Sequence, residues 1–282
     1  MKVLIIGGVA AGTKAAAKIK RLNRGMEVQL ITKGEDISYA GCGLPYYVGG
    51  TIESREQLIV NSPAKYAALT GAEVLTGREA VKLDAAGKIV TARNLRTGET
   101  ETYSYDKLVI ATGASPVVPP VEGTALEGVF TMRTPEDAVA TRAWAQDNGV
   151  KKAVVVGGGF IGLELAENLH SMGIQVTVVD FAPQVLPNIF DSEMADYVRR
   201  HLNRKGIQII TGRGVEAILG EGRVSAVQAA GEALRADLVV LSVGIRPNTG
   251  FLQDTGLEMC KGTILVNGKM QTNLPDKIGT HV

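Results

Sequence analysis

Two kinds of residue in this chain could do chemistry: one cysteine in an unusual neighbourhood, and glycines at the spacing of a phosphate-binding turn. Cys42 lies in ISYAGCGLPYYVGG, residues 37–50, and a short apolar stretch compatible with a helix begins there. A thiol at a helix N-terminus ionises more readily, and the thiolate is the nucleophile. A lone cysteine is most often a buried, inert one, but the Gly, Pro and Tyr neighbours of Cys42 favour the reactive reading. Cys260 has no such context and reads as structural. The two are too far apart in sequence for a C-x-x-C dithiol, and two cysteines cannot build a disulfide scaffold or a four-cysteine zinc site.

The glycines come in two copies. Gly157-x-Gly159-x-x-Gly162 is complete, follows four apolar residues and precedes an apolar-rich helix. Such a turn sets backbone N–H groups and the positive helix end against a pyrophosphate. Asp180 ends the next strand, where a carboxylate accepts hydrogen bonds from the ribose of NAD and repels a 2′-phosphate. No Arg follows at Phe181 or Ala182, so NADH is expected over NADPH. The first copy is imperfect: Gly7 and Gly12 are in place, Val9 sits at the middle glycine, and Thr32 ends the second strand, with Glu35 just past it.

Elements must position these residues. VLIIGGVAAG (3–12) and AVVVGGGFIG (153–162) each open a strand–turn–helix–strand unit, about 150 residues apart. The second strands are read at 28–32 and 176–180. Between the repeats lies a β-rich stretch: a hairpin from 89–93 and 101–105 around Thr97-Gly98, then a buried strand at 107–111. Pro116, Pro119 and Pro120 mark a linker, and Arg246-Pro247-Asn248 a second crossing. A helix is read at 192–205, and strands at 207–210 and 238–243 with a hairpin through Gly220 and Gly222 between them. The fold class is therefore α/β, two Rossmann-like domains with a β-rich insertion: residues 1–115 plus 248–282, and 116–247.

Composition sets limits. Thirty Lys and Arg against 29 Asp and Glu leave a net charge of +1, which removes the electrostatic case for a nucleic-acid partner. Glycines interrupt the first apolar run, unlike a secretion signal, and no run of ~18 apolar residues suggests a membrane span. Few cysteines and no export signal point to a reducing, cytoplasmic setting.

The Cys42 segment, with GGVAAG before it and with YDKLVIATGASP, VVVGGGFIGLELAENL and ADLVVLSVGIRPN after it, resembles the single-cysteine branch of the FAD-dependent pyridine nucleotide-disulfide oxidoreductases. Within that branch it is most similar to coenzyme A disulfide reductases and their sulfur- or persulfide-reducing relatives. The resemblance implies FAD at the first domain, NAD(P)H at the second and Cys42 as the redox thiol. Gly7, Ala10, Ala11 and Gly12 would meet the FAD pyrophosphate, with Thr112 and Gly113 close to FAD and Arg133, in TMRTPEDA, facing it. Gly157, Gly159, Gly162, Asp180 and Gly244 would belong to the second cofactor site. Glu164 matches a position near the flavin–nicotinamide contact. Lys18, Arg21 and Ser38 match positions that approach coenzyme A; a solvated helix face is the other reading of KIKRLNR (18–24). The implied reaction passes a hydride from NADH through FAD to a Cys42 mixed disulfide, reducing coenzyme A disulfide or a persulfide.

Four departures stand out. Thr32 replaces the acidic residue expected on the FAD ribose, and Gly41 stands where coenzyme A disulfide reductases often carry Asn. Ala10 replaces the His of related NADH peroxidases and oxidases. After Pro275-Asp276 the expected Gly-Asp strand end gives way to KIGTHV, so the sequence reads as a truncated member without the C-terminal dimerisation domain that makes its relatives homodimers. Two rival readings follow. One is an NADH oxidase or peroxidase cycling Cys42 through a sulfenic acid; the other is a non-catalytic nucleotide-binding remnant.

Overall fold

The computed structural model describes residues 1–274 and the backbone of 277–279. Its α-helices are α1 (Ala10–Leu22), α2 (Leu44–Val48), α3 (Pro63–Thr70), α4 (Pro135–Asp147), α5 (Phe160–Ser171) and α6 (Ser192–Arg204). The chain folds as two compact units. One holds residues 1–40, 59–115 and 246 onward; the other holds 41–58 and 116–245. The sequence boundaries group 41–58 with the first unit. They pack in the second because the buried side chains of α2, Leu44, Pro45 and Val48, seat against α4 and α5.

The first unit is built on a five-stranded parallel sheet. Its spatial order is Lys277–Gly279, Lys107–Ile110, Lys2–Ile6, Glu27–Ile31 and Glu73–Leu75. Alternate residues of the central strand serve opposite faces. Val3 and Ile5 pack with Ala16 of α1 and Tyr66 of α3. Leu4 and Ile6 pack with Leu83, Val90 and Tyr103, and with Leu252, Leu257 and Ile264 from the returning chain. Burial on both faces is why the strand reads as an unbroken apolar run. Leu83, Val90 and Tyr103 come from a three-stranded antiparallel sheet: Arg78–Asp84, Ile89–Asn94 and Thr100–Ser104.

The second unit repeats the plan. Its parallel sheet runs Gln208–Thr211, Gln175–Asp180, Lys152–Val156, Leu238–Leu241 and Val129–Thr131. Its antiparallel sheet, Val215–Glu221, Arg223–Ala229 and Glu232–Arg235, covers Val154, Val156 and Leu241 with Ile218, Val224 and Val227. The hairpin expected through Gly220 and Gly222 is its first turn. In both units the central strand has the following strand on one side and a much later one on the other. That reversal is the switch point where ligands bind in open α/β sheets.

A carboxylate in the first unit ties its hairpin sheet together. Tyr103 O–H and Asn94 Nδ2 donate to Glu101, the latter at 2.7 Å, and Arg78 Nε donates at 3.2 Å. The Tyr103 hydroxyl foremost, then Asn94 and Arg78, hold Glu101 at about 2, below its ordinary 4.5. Burial, then the carboxylate, pushes the Tyr103 hydroxyl up to about 12. A depressed carboxylate contributes stability that is complete above its unfolded pKa and lost as pH falls through the folded one. Glu101→Gln is therefore expected to lower the urea midpoint at pH 7 and to match the native chain as pH approaches 2. A gap between the two that stays constant from pH 7 to pH 2.5, roughly the span of the linkage, would contradict this.

Candidate functional site

In the second unit, Gly157 leaves the central strand at φ +114°, a conformation that favours glycine. A Cβ there would lie 2.2 Å from the Ser242 carbonyl oxygen, and one on Gly162 would lie 2.0 Å from that of Gly157. These two glycines let backbone pass against backbone. Gly159 differs, because a Cβ on it would meet nothing within 4 Å. It is the N-cap of α5, with no side-chain capping bond. The helix start thus keeps orphan N–H groups beneath open space, which suits an anionic ligand.

Asp180 closes this cradle. Gly158 N–H donates to its Oδ2, and Ala182 N–H donates to its Oδ1 at 2.7 Å. An ionised carboxylate has about four acceptor sites, so capacity for ribose hydroxyls remains. Exposed apolar side chains stand nearby in the chain: Phe160 and Ile161 open α5, Phe181 (83% exposed) follows Asp180, and Val243 precedes Gly244. Gly244 is exposed at φ +127°. Sequence reasoning missed this apolar group. Its signal was bulky apolar residues next to motif positions that should face solvent.

The first unit reproduces the cradle almost bond for bond. Gly7 stands at φ +113°, and its Cβ would lie 2.0 Å from the Ala111 oxygen; that of Gly12 would lie 1.8 Å from the Gly7 oxygen. Gly7 N–H donates to Ile31 O as Gly157 N–H does to Val179 O, both at 2.8 Å. Ser38 N–H donates to Gly8 O as Leu186 N–H does to Gly158 O, both at 3.0 Å. Ser38 and Leu186 even share a left-handed backbone, φ 49° and 50°. Thr32 takes the place of Asp180: its Oγ1 accepts from Gly8 N–H at 3.2 Å, and the residue is 6% exposed. The neutral hydroxyl keeps the internal bond and omits the charge.

Glu35 does not stand in for that charge. Arg96 and Thr76 engage its carboxylate, and the Arg96 hydrogen bond foremost holds it below the usual carboxylate range. Val9 is the N-cap of α1, again without a side-chain cap, and exposed Ala10 and Ala11 follow it. Small side chains leave the helix start open, so the residues present fit a dinucleotide in both units.

The other predicted positions divide between the units. Thr112 and Gly113 follow strand Lys107–Ile110, and Asn248 locks them by donating from Nδ2 to Thr112 O at 3.0 Å and from N–H to Gly113 O at 2.9 Å. Asn248 was readable only as part of a crossing. Lys18 and Arg21 are exposed, about two and about three turns along α1 from its start at Ala10, so the fold does not gather them at the Gly7 turn. Lys20, in the same basic run, instead donates to Arg24 O at 2.8 Å and Met26 O at 3.0 Å. Arg133 immediately precedes Thr134, the α4 N-cap, and its N–H donates to Asp137 Oδ2 at 2.8 Å. Glu164 is half-buried in the first turns of α5.

Cys42 is an exposed free thiol in a single 3-10 turn, Gly41–Gly43, leading into α2. Cys260, read as structural, is also exposed, at the end of the short strand Met259–Cys260. Among the described residues no His, Cys, Asp and Glu cluster could hold a metal, and no helix is long and apolar enough to cross a membrane. Pro275 and Asp276 lie outside the described residues, as do 280–282.

Comparison with known proteins agrees with this geometry. A family model described as pyridine nucleotide-disulphide oxidoreductase matches residues 1–276. The chain is 39% identical over 276 residues to an NADH oxidase of Methanocaldococcus jannaschii, covering 98% of this chain and 61% of that protein. It is 38% identical over 277 residues to an NAD(P)H sulfur oxidoreductase (CoA-dependent) of Pyrococcus abyssi, covering 96% and 60%. A solved NAD-dependent persulfide reductase from A. fulgidus superposes with a TM-score of 0.95 at 37% identity, covering 99% of this chain and 52% of that one. The chain thus spans about 60% of the length of the curated relatives it matches.

Proposed function

Because the chain belongs to the pyridine nucleotide-disulphide oxidoreductase family, we propose that it takes electrons from NADH, by way of FAD, to a sulfur held at Cys42. Coenzyme A disulfide or a related persulfide is the substrate class. The observation that carries this reading is the exposed, unbridged thiol of Cys42, set between two glycines in a chain with two dinucleotide cradles. The relatives include an NADH oxidase, an NAD(P)H sulfur oxidoreductase and an NAD-dependent persulfide reductase.

Each residue has a proposed task. The helix start after Gly7, with Ala10, Ala11 and Gly12, holds the FAD pyrophosphate, while Thr112, Gly113 and Arg133 border that cofactor. The Gly157–Gly162 turn holds the NADH pyrophosphate; Asp180 accepts from its ribose and repels a 2′-phosphate, and Gly244 borders the same site. Glu164 borders the nicotinamide, and Ser38, Lys18 and Arg21 approach coenzyme A. FAD, when bound, supplies a two-electron relay between nicotinamide and sulfur. The Cys42 thiolate attacks one sulfur of the disulfide, the new S–S bond forms, and the other half leaves as a thiolate that takes up a proton. Two electrons then cleave that mixed disulfide, restoring Cys42 and releasing the second thiol. Low cysteine content supports a cytoplasmic, reducing setting for this cycle.

A second reading is NADH oxidase or peroxidase chemistry through a Cys42 sulfenic acid, favoured by the name of the Methanocaldococcus jannaschii relative. Ala10 brings no imidazole to it. A third, simple nucleotide binding, is favoured by the uncharged Thr32.

One experiment separates them. The purified chain is incubated with FAD, desalted and scanned in the visible range. A flavin band is expected to persist, to bleach with NADH faster than with NADPH, and to return on adding coenzyme A disulfide without oxygen. A colourless protein would leave only nucleotide binding. Recovery with peroxide but not with disulfide would support the oxidase reading.

A further inference from the structure

We propose that Arg142 is a positioning residue that fixes the Cys42 segment to the framework of the second cradle; this rests on the reading of Cys42 as the redox thiol. α2 spans only Leu44–Val48, too short to hold itself as a helix. Gly41 and Gly43 flank the thiol without side chains, and a Cβ on Gly41 would meet nothing within 4 Å. The direction of Cys42 is therefore set by how α2 is seated.

Arg142 projects from α4 into this segment. Its guanidinium carbon lies 4.7 Å from the centroid of the Tyr47 ring. Its Nη1 donates to Ile52 O at 3.2 Å and to Glu53 O at 3.0 Å. One planar cation thus grips the helix and the loop that leaves it. A lysine could stack less well and offers no fork.

α5 packs against the same segment. A Cβ on Gly49 would lie 2.4 Å from Asn168 Oδ1. Asn168 is buried, and its Nδ2 donates to Glu164 O at 2.8 Å. α5 begins at the Gly157–Gly159 turn, so the thiol segment and the second cradle share one rigid support. The exposed pair Arg55–Glu136, 2.9 Å apart, adds an anchor of small worth.

The test uses the full chain reconstituted with FAD, in native, Arg142→Ala, Arg142→Lys, Tyr47→Leu and Cys42→Ser forms. Amide hydrogen exchange is followed across residues 44–53, together with NADH-driven reduction of coenzyme A disulfide. Arg142→Ala is expected to speed exchange in that stretch about tenfold, leaving α5 unchanged. It should lower kcat by roughly ten- to a hundredfold with KM for NADH unaltered, as misplacement of a reacting group does. Arg142→Lys should recover part of both, and Tyr47→Leu should repeat the exchange effect in a milder form. Native exchange and native kcat in Arg142→Ala, with Cys42→Ser inactive, would overturn the proposal and leave the reading of Cys42 standing. Full turnover by Cys42→Ser would overturn that reading and the catalytic half of the proposal.

Discussion

Cys42→Ser is expected to reduce NADH-driven disulfide reduction by at least about a thousandfold, because a catalytic nucleophile is being removed. A serine hydroxyl is barely ionised at neutral pH, so it cannot open a disulfide or carry the mixed disulfide that follows. Fold and cofactor sites should be untouched. The side chain is exposed, and oxygen for sulfur at such a position changes stability by less than about 0.5 kcal/mol. Steady-state assays with coenzyme A disulfide, run beside a urea melt and an NADH titration, read all three quantities. Turnover at the native rate would remove Cys42 from the mechanism. Loss of turnover together with loss of NADH binding would instead report a folding defect.

Adding one methyl group should have opposite consequences at two glycines of the same turn. In Gly162→Ala the new Cβ would lie 2.0 Å from the Gly157 carbonyl oxygen, and that oxygen belongs to backbone. Only lifting α5 off its strand relieves such a contact. The cost should reach or exceed the ~3 kcal/mol upper end of ordinary overpacking. Gly12→Ala, at 1.8 Å from the Gly7 oxygen, should behave alike in the first unit. Gly159→Ala meets nothing within 4 Å and has an ordinary φ of −79°. Its urea midpoint should change little, because the gain of about 0.4–1 kcal/mol from Gly→Ala at a compatible backbone is offset by the poorer fit of alanine at the α5 N-cap. NADH affinity should nevertheless fall, by about tenfold, because the methyl sits over the helix start that the pyrophosphate must approach. Urea melts and NADH fluorescence titrations distinguish the two. A stable Gly162→Ala chain, or a Gly159→Ala chain that binds NADH as before, would contradict the assignment of those roles.

Much of this arrangement is legible in the residue order. Apolar runs at 3–6 and 153–156 mean strands buried on two faces, and the glycines that follow mean turns into helices. Alternation around Thr97-Gly98 marks a hairpin, although the strand Arg78–Asp84 beside it goes unread because its pattern is only partly buried. The Thr32 departure was visible as well. What it does was not: a serviceable hydrogen bond to Gly8 in the very place where Asp180 serves Gly158.

By itself, then, the sequence determined the duplicated strand–turn–helix plan, the glycines that could only be glycine, and the cysteine with no partner beside it. These are local matters, decided by backbone conformation and by periodicity over a few residues. Tertiary structure alone decided which unit holds the thiol. The neighbours that seat α2, Arg142 and Asn168, lie far along the chain and contribute through a cation over a ring, two carbonyl bonds and a close approach at Gly49. None of these has a sequence period. The same holds for Asn248 on the Thr112-Gly113 turn and for Glu35, drawn away to Arg96. Long-range polar contacts are chosen by geometry after folding, and no spacing in the chain announces them.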